Sequence, residues 1–223
     1  AFAPDDSVVV TAGDDKLLHA WNPTSGEALQ TLTGLRGSVK GVAFSQDGSR
    51  LAAITNLGEV WVWETANWSL LYALAIEGGG LGVSFMPDGN LLAINPGGQI
   101  KLWLPDGSVL RVEHVPLSAV QTCAGAKVNA FDISADGSLL GASLSCGFGL
   151  IWKLGDTRVL WGANTHQTEL WQLRKIKVNN NVIDLSPDGG IAIFGMVYYI
   201  QSELMLMDVV DGSIGAVLAS VGP

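Results

Sequence analysis

Basic residues are scarce in this chain. Lys and Arg total 12 against 21 Asp and Glu, a formal net charge of −9. Phosphate contacts need cations, so this balance argues against a nucleic-acid binder. Charged residues are only 15% of the chain while apolar ones reach 48%. That excludes a disordered segment and disfavours long solvent-exposed helices. The two cysteines, Cys123 and Cys146, are too few for a disulfide scaffold and lack the paired Cys/His spacing of a metal site. No apolar run reaches the ~18 residues of a membrane span. The longest, 189–200, is followed by Gln201, Ser202 and Glu203. The opening Ala1-Phe2-Ala3-Pro4 has neither a basic nor an apolar leader character. We expect a cytoplasmic protein without membrane insertion, whose first residue lies inside a longer chain.

What the chain does have is a repeat. A pattern of apolar, small, variable, Asp, then Gly or Asp occurs five times: at Phe2–Asp6, Phe44–Gly48, Phe85–Gly89, Ile133–Gly137 and Leu185–Gly189. A second marker follows each copy: Trp21, Trp63, Trp103, Trp152 and Met207. The two series drift together, which composition alone does not produce. Each unit reads as four short strands. In the second, Val39 to Phe44, Leu51 to Thr55, Val60 to Trp63 and Leu70 to Ala75 are β-rich, separated by turn residues such as Asp47-Gly48. The unit boundaries fall near 1–33, 34–76, 77–114, 115–163 and 164–223. Strands this apolar on both sides must be covered on both sides, and four-stranded sheets repeating every ~40–45 residues achieve that by stacking as propeller blades.

On these residues the chain resembles the WD-repeat (WD40) family of β-propellers, most closely over Val39 to Trp63. The resemblance implies an all-β propeller of antiparallel four-stranded blades, about five of them present here, in an incomplete ring. The Trp-Asp dipeptide has decayed to Trp21-Asn22, Trp63-Glu64, Trp103-Leu104 and Trp152-Lys153, and the last unit has Met207-Asp208. The family often ties each blade with a His, an Asp, a Ser or Thr and the Trp. Here Asp15 keeps the Asp position of the first unit, but Leu57, Gly97, Cys146 and Gln201 fill it in the others, and Leu35, Ile76, Ala124 and Ile176 fill the His position. Blades held mainly by apolar packing are therefore expected, with Asp15, Trp21, Trp63, Trp103 and Trp152 as structural residues.

In such a fold the first–second and third–fourth turns share the bottom, and the other loops share the top. The bottom collects aspartates such as Asp5, Asp47, Asp88 and Asp136, which suit turns. The top collects Arg36, Lys40, Lys127 and Arg174. A polar top with Arg and aromatic anchors fits partner recognition, so Arg36, Lys40, Lys127, Asn129, Trp171, Arg174 and Tyr199 are the candidate partner-binding residues. Cys123 and Cys146 both fall at the top of the fourth unit, within reach of a disulfide. Glu77 to Gly82 reads as a flexible top loop and not a phosphate loop. We expect a non-catalytic scaffold that binds a protein or peptide on its top face, with no cofactor, no metal, no nucleic acid and no small-molecule ligand. Two rivals are a sensor domain attached to a catalytic domain, and a propeller enzyme or quinoprotein.

Overall fold

Runs of β-branched and aromatic residues, cut by Asp-Gly turns, form antiparallel sheets in sequence order. The computed structural model describes residues 1–117, 125–146, 149–155, 159–162, 182–186, 190–197, 202–208 and 214–221. The first sheet has three strands: β1 (Val9–Ala12), β2 (Leu18–Trp21) and β3 (Ala28–Leu32). Four sheets have four strands each. The second comprises β4 (Val39–Phe44), β5 (Arg50–Thr55), β6 (Glu59–Glu64) and β7 (Leu70–Ala75). The third comprises β8 (Gly82–Phe85), β9 (Leu91–Ile94), β10 (Gln99–Trp103) and β11 (Val109–His114). The fourth comprises β12 (Val128–Ile133), β13 (Leu139–Leu144), β14 (Gly149–Lys153) and β15 (Val159–Gly162). The fifth comprises β16 (Val182–Leu185), β17 (Ile191–Val197), β18 (Ser202–Asp208) and β19 (Ile214–Val221). In the first sheet a single Phe2–Val9 bridge stands where the other sheets have a first strand.

The two sequence markers occupy one register in every sheet. Phe44 pairs with Leu51, which pairs with Trp63. Phe85, Leu91 and Trp103 repeat this, as do Ile133, Leu140 and Trp152, and Leu185, Ala192 and Met207. The first sheet repeats it with Phe2, Val9 and Trp21. The ladder to the fourth strand also slips by one residue immediately before each of the five markers. A bulge bends a strand and sharpens its twist. Its recurrence shows that the marker position is a bend as well as a packing site.

The chain divides into two compact units, Ala1–His114 and Val115–Pro223. In the first, β4 runs beside both β1 and β8. Alternate residues of β5 serve two cores. Leu51 and Ala53 join Val10, Leu18, Ala20 and Trp63 between the first and second sheets. Ala52 and Ile54 join Val60, Leu91, Ala93 and Trp103 between the second and third. Each indole thus packs toward the preceding sheet. In the second unit β12 lies beside β16, and Asp132 Oδ2 accepts the Leu185 amide at 2.7 Å.

The Glu77–Gly82 segment, expected to be a flexible loop, is closely packed. A Cβ on Gly79 would stand 2.7 Å from the Asn56 carbonyl oxygen, and one on Gly80 would overlap Ile54 and the Thr55 carbonyl. The glycines serve close approach of two backbones, not mobility. Gly58 faces the same junction at φ +83, with its missing Cβ aimed at the Ile76 carbonyl oxygen. Gly58→Ala is therefore expected to destabilise the protein by about 1–3 kcal/mol in denaturant titration, while Gly13→Ala, which meets nothing within 4 Å, leaves the midpoint nearly unchanged.

Candidate functional site

The top end of the second sheet is organised by a buried acid. Glu59 opens β6 and is buried. Its Oε1 accepts Arg36 Nε at 2.6 Å and its Oε2 accepts the Arg36 amide at 3.1 Å. Thr55 closes the set from the end of β5, its hydroxyl donating to Glu59 Oε2 at 3.5 Å and accepting the Glu59 amide at 3.3 Å. Burial alone would raise the Glu59 pKa, but the hydrogen bonds and charge of Arg36 outweigh it and hold the carboxyl below its ordinary value. The third sheet repeats the device in neutral form. Asn95, in the place of Thr55, accepts the Gln99 amide at 2.8 Å and donates to the Glu77 carbonyl at 2.6 Å. In the fourth, the Ser145 hydroxyl accepts the Lys127 amide at 2.9 Å. Polar ties thus supplement the apolar packing expected of the blades. The family's His and Asp are replaced by polar side chains at the end of the second strand or the start of the third, which hold the loop entering the same sheet.

The predicted partner-binding residues separate in the structure. The Arg36 side chain is 81% exposed although its Nε is committed to Glu59. Lys40 is exposed and its Nζ lies 3.3 Å from Asp14 Oδ1, linking β4 to the β1–β2 turn. Lys40 and Asn129 occupy one structural position. Each is the extra residue of a bulge between first and second strands, where pairing steps from Val39 to Gly41 and from Val128 to Ala130. Such a bulge re-aims a side chain, and no sequence pattern marks it. Lys127 is exposed beside that bulge. Trp171, Arg174, Tyr199 and Cys123 lie outside the described residues, while Cys146 is exposed on the turn after β13.

Among the structural residues, Trp63, Trp103 and Trp152 are buried. Trp21 is half-buried and donates Nε1–H to Thr11 Oγ1 at 2.9 Å. Asp15 Oδ1 accepts the Leu17 amide at 3.2 Å, and its Oδ2 lies 3.4 Å from His19 Nε2. This pair stays within the first sheet.

The opposite end carries the aspartate turns. Ser45 Oγ donates to Asp47 Oδ1 at 2.6 Å, and the Ser49 amide and hydroxyl complete the turn. Ser134, Asp136 and Ser138 reproduce it. The Ser45 and Ser134 hydroxyls, then the bonds from Ser49 and Ser138, lower both carboxyls to about 2. Asp5 is lowered in the same direction, first by the Ser7 hydroxyl. The aspartates are therefore there as turn locks, and as a consequence that end stays anionic at any physiological pH.

A folded-state pKa below the unfolded one stabilises the fold above the unfolded value, and the contribution disappears as pH falls through the folded value. Thermal stability should therefore decline between about pH 4 and about pH 2, and an Asp47→Asn/Asp136→Asn variant should show a shallower decline in calorimetry. Arg36→Ala leaves a buried carboxylate without its cation and is expected to cost about 1–3 kcal/mol, read by denaturant titration at pH 7, with less loss in an Arg36→Ala/Glu59→Gln double variant.

Comparison with known proteins agrees with this architecture. No family model matches the chain. Over 65 residues it is 40% identical to Protein Atg16l2 of Mus musculus, covering 28% of this chain and 10% of that protein. Over 70 residues it is 37% identical to Protein HIR1 of Mycosarcoma maydis, covering 31% and 7%. Over 104 residues it is 32% identical to Small ribosomal subunit protein RACK1 of Caenorhabditis elegans, covering 46% and 32%. The chain thus spans 7% to 32% of the length of these curated relatives. Among solved structures, the β-propeller domain of Cps50 (Swd1) from Myceliophteria thermophila matches with a TM-score of 0.68 at 12% identity, over 98% of this chain and 84% of that one. With the marker register repeated in all five sheets, the chain has the fold of a β-propeller and is similar over part of its length to WD40 proteins.

Proposed function

We propose that this protein is a non-catalytic interaction module that binds a partner protein or peptide through the top ends of its sheets. Propellers of this family typically act as interaction scaffolds. The observation that carries the reading is the paired bulge. Lys40 and Asn129 are turned out of the ladder at equivalent places in two sheets, next to the exposed Arg36 guanidinium in one and the exposed Lys127 in the other. Arg is favoured at binding surfaces because it combines area with several fixed donors. Arg36 is also pre-positioned by Glu59, which lowers the entropy lost on binding. The partner segment this chemistry favours is acidic or rich in carbonyl acceptors.

A non-catalytic role is supported by where the carboxyls are tuned. A general acid or base at neutral pH needs a pKa near neutrality. Glu59, Asp47 and Asp136 are displaced the other way and committed to structural hydrogen bonds. Trp171, Arg174 and Tyr199 remain candidates for the same role, as does a Cys123–Cys146 disulfide that would tie down the top of the fourth sheet.

The test uses a charge reversal that spares the fold. Lys40→Glu is expected to keep the wild-type melting temperature within about 2 °C, since exposed ion pairs contribute little. Affinity capture with the wild type and the variant, read by quantitative mass spectrometry, should then show at least one partner lost from Lys40→Glu and retained by Asp136→Asn. Identical partner sets for all three proteins would overturn the top-end assignment.

A further inference from the structure

Two grooves open at the aspartate-turn end of the first unit. One lies between the first and second sheets and the other between the second and third, with volumes of about 460 and about 480 Å³. They are one repeat apart, and much of their walls corresponds in register. Asp5 in the first groove takes the place of Asp47 in the second, Phe44 that of Phe85, Asp47 that of Asp88, and Thr65 that of Pro105. Two aspartates flank each groove.

The cation differs. In the second groove the chain supplies its own. Arg50 lines it, and its Nη1 donates to the Pro105 carbonyl at 2.8 Å, an oxygen that also accepts the Tyr72 hydroxyl at 3.2 Å. The register places Val8 at the Arg50 position of the first groove. The residues lining that groove therefore keep both acids and contain no Lys, Arg or His. They include instead Trp68, which holds φ +60 where the first sheet has Gly26 at φ +73. An L residue is disfavoured there, and Trp brings a long indole to a position where Gly would be free of strain. The ring packs against the core between the first and second sheets and lines the groove.

We infer that the groove between the first and second sheets binds an arginine side chain from a partner protein's peptide segment. The adjacent groove shows what this geometry accommodates: an arginine side chain lining a groove that two aspartates flank, its guanidinium donating to a backbone carbonyl. In the first groove Asp5 and Asp47 supply the complementary charge, the register offers the Thr65 carbonyl at the place of the Pro105 acceptor, and Trp68 supplies a face on which a planar cation stacks. The apolar floor of Phe44 and Val8 suits the methylene stem. Arginine is preferred to lysine because only the guanidinium both stacks and forks toward acceptors on two walls. This inference is independent of the top-end reading, since it concerns the opposite end of the sheets.

The experiment titrates the isotope-labelled full chain with the capped pentapeptide Gly-Gly-Arg-Gly-Gly, followed by NMR at the Trp68 indole N–H and the Ser7 and Ser49 amides. Saturable shifts at those three signals are expected, with the lysine peptide weaker by about threefold or more and the citrulline peptide inactive. Val8→Arg fills the groove as Arg50 fills its neighbour, so it should weaken peptide binding at least about tenfold at an unchanged or higher melting temperature. Trp68→Gly provides a second variant, relieving the left-handed backbone while weakening binding by a similar factor. The inference is overturned by the absence of saturable shifts up to about 20 mM peptide, by shifts confined to other residues, by equal binding of the citrulline peptide, or by wild-type affinity in Val8→Arg or Trp68→Gly.

Discussion

The indoles of Trp63 and Trp103, each buried between its own sheet and the one before it, are the contacts on which the first unit depends. They stand in sheets with no polar face to offer water. Residues Leu51 to Ile54 and Leu91 to Ile94 are all buried, and in the second sheet Leu51 and Ala53 serve the first sheet while Ala52 and Ile54 serve the third. A sheet apolar on both sides gains nothing by folding alone, so stacking is obligatory and each copy requires the next. The bulge before every marker belongs to the same constraint. At Trp63 and Trp103 it bends the third strand where the indole packs toward the preceding sheet, and it lets the fourth strand follow the twist. With both faces committed, only turns, loops and fourth strands are left to meet other molecules.

Apolar stacking is non-directional, and the polar ties at the top ends supply the direction it lacks. Glu59 is a costly residue to bury, and its carboxylate is tolerated because Arg36, the loop amides and Thr55 satisfy it. The third sheet reaches the same loop geometry with Asn95, which needs no counter-ion. Two chemistries at one end of the sheet, Glu59 at the start of a third strand and Asn95 just after a second, indicate that the fold requires a tie there and does not specify its charge. The charged version leaves an exposed guanidinium with a fixed base.

The strands were readable because their causes are local. Asp47-Gly48 and Asp136-Gly137 each combine a side chain that bonds the turn amides with a residue free to take positive φ. The β4 and β7 limits coincide with the ends of the apolar runs. The unreadable features all depend on partners distant in the chain. Arg36 and Glu59 are 23 residues apart. The bulges at Lys40 and Asn129 are offsets between two strands, and neither strand records them alone. The close approach that requires Gly80 is made to Ile54 and Thr55 of another sheet. A glycine run reads as freedom in sequence and becomes a packing requirement only once its neighbour is in place.

Repetition turns single departures into evidence. In a fold without copies, Val8 would be an ordinary apolar residue and Trp68 an ordinary turn aromatic. Set beside Arg50 and Gly26, one is a missing cation and the other a ring held against its backbone preference. Stability does not account for either. A cation at position 8 would enter a groove that two aspartates, ionised by their turns, flank, and Gly at position 68 would relieve the strain. Both changes would make the first groove more like the second, which an arginine of its own chain lines. The copies share the packing residues because stacking demands them, so a difference confined to the solvent-facing rim of one groove is where selection for something other than folding is most directly visible.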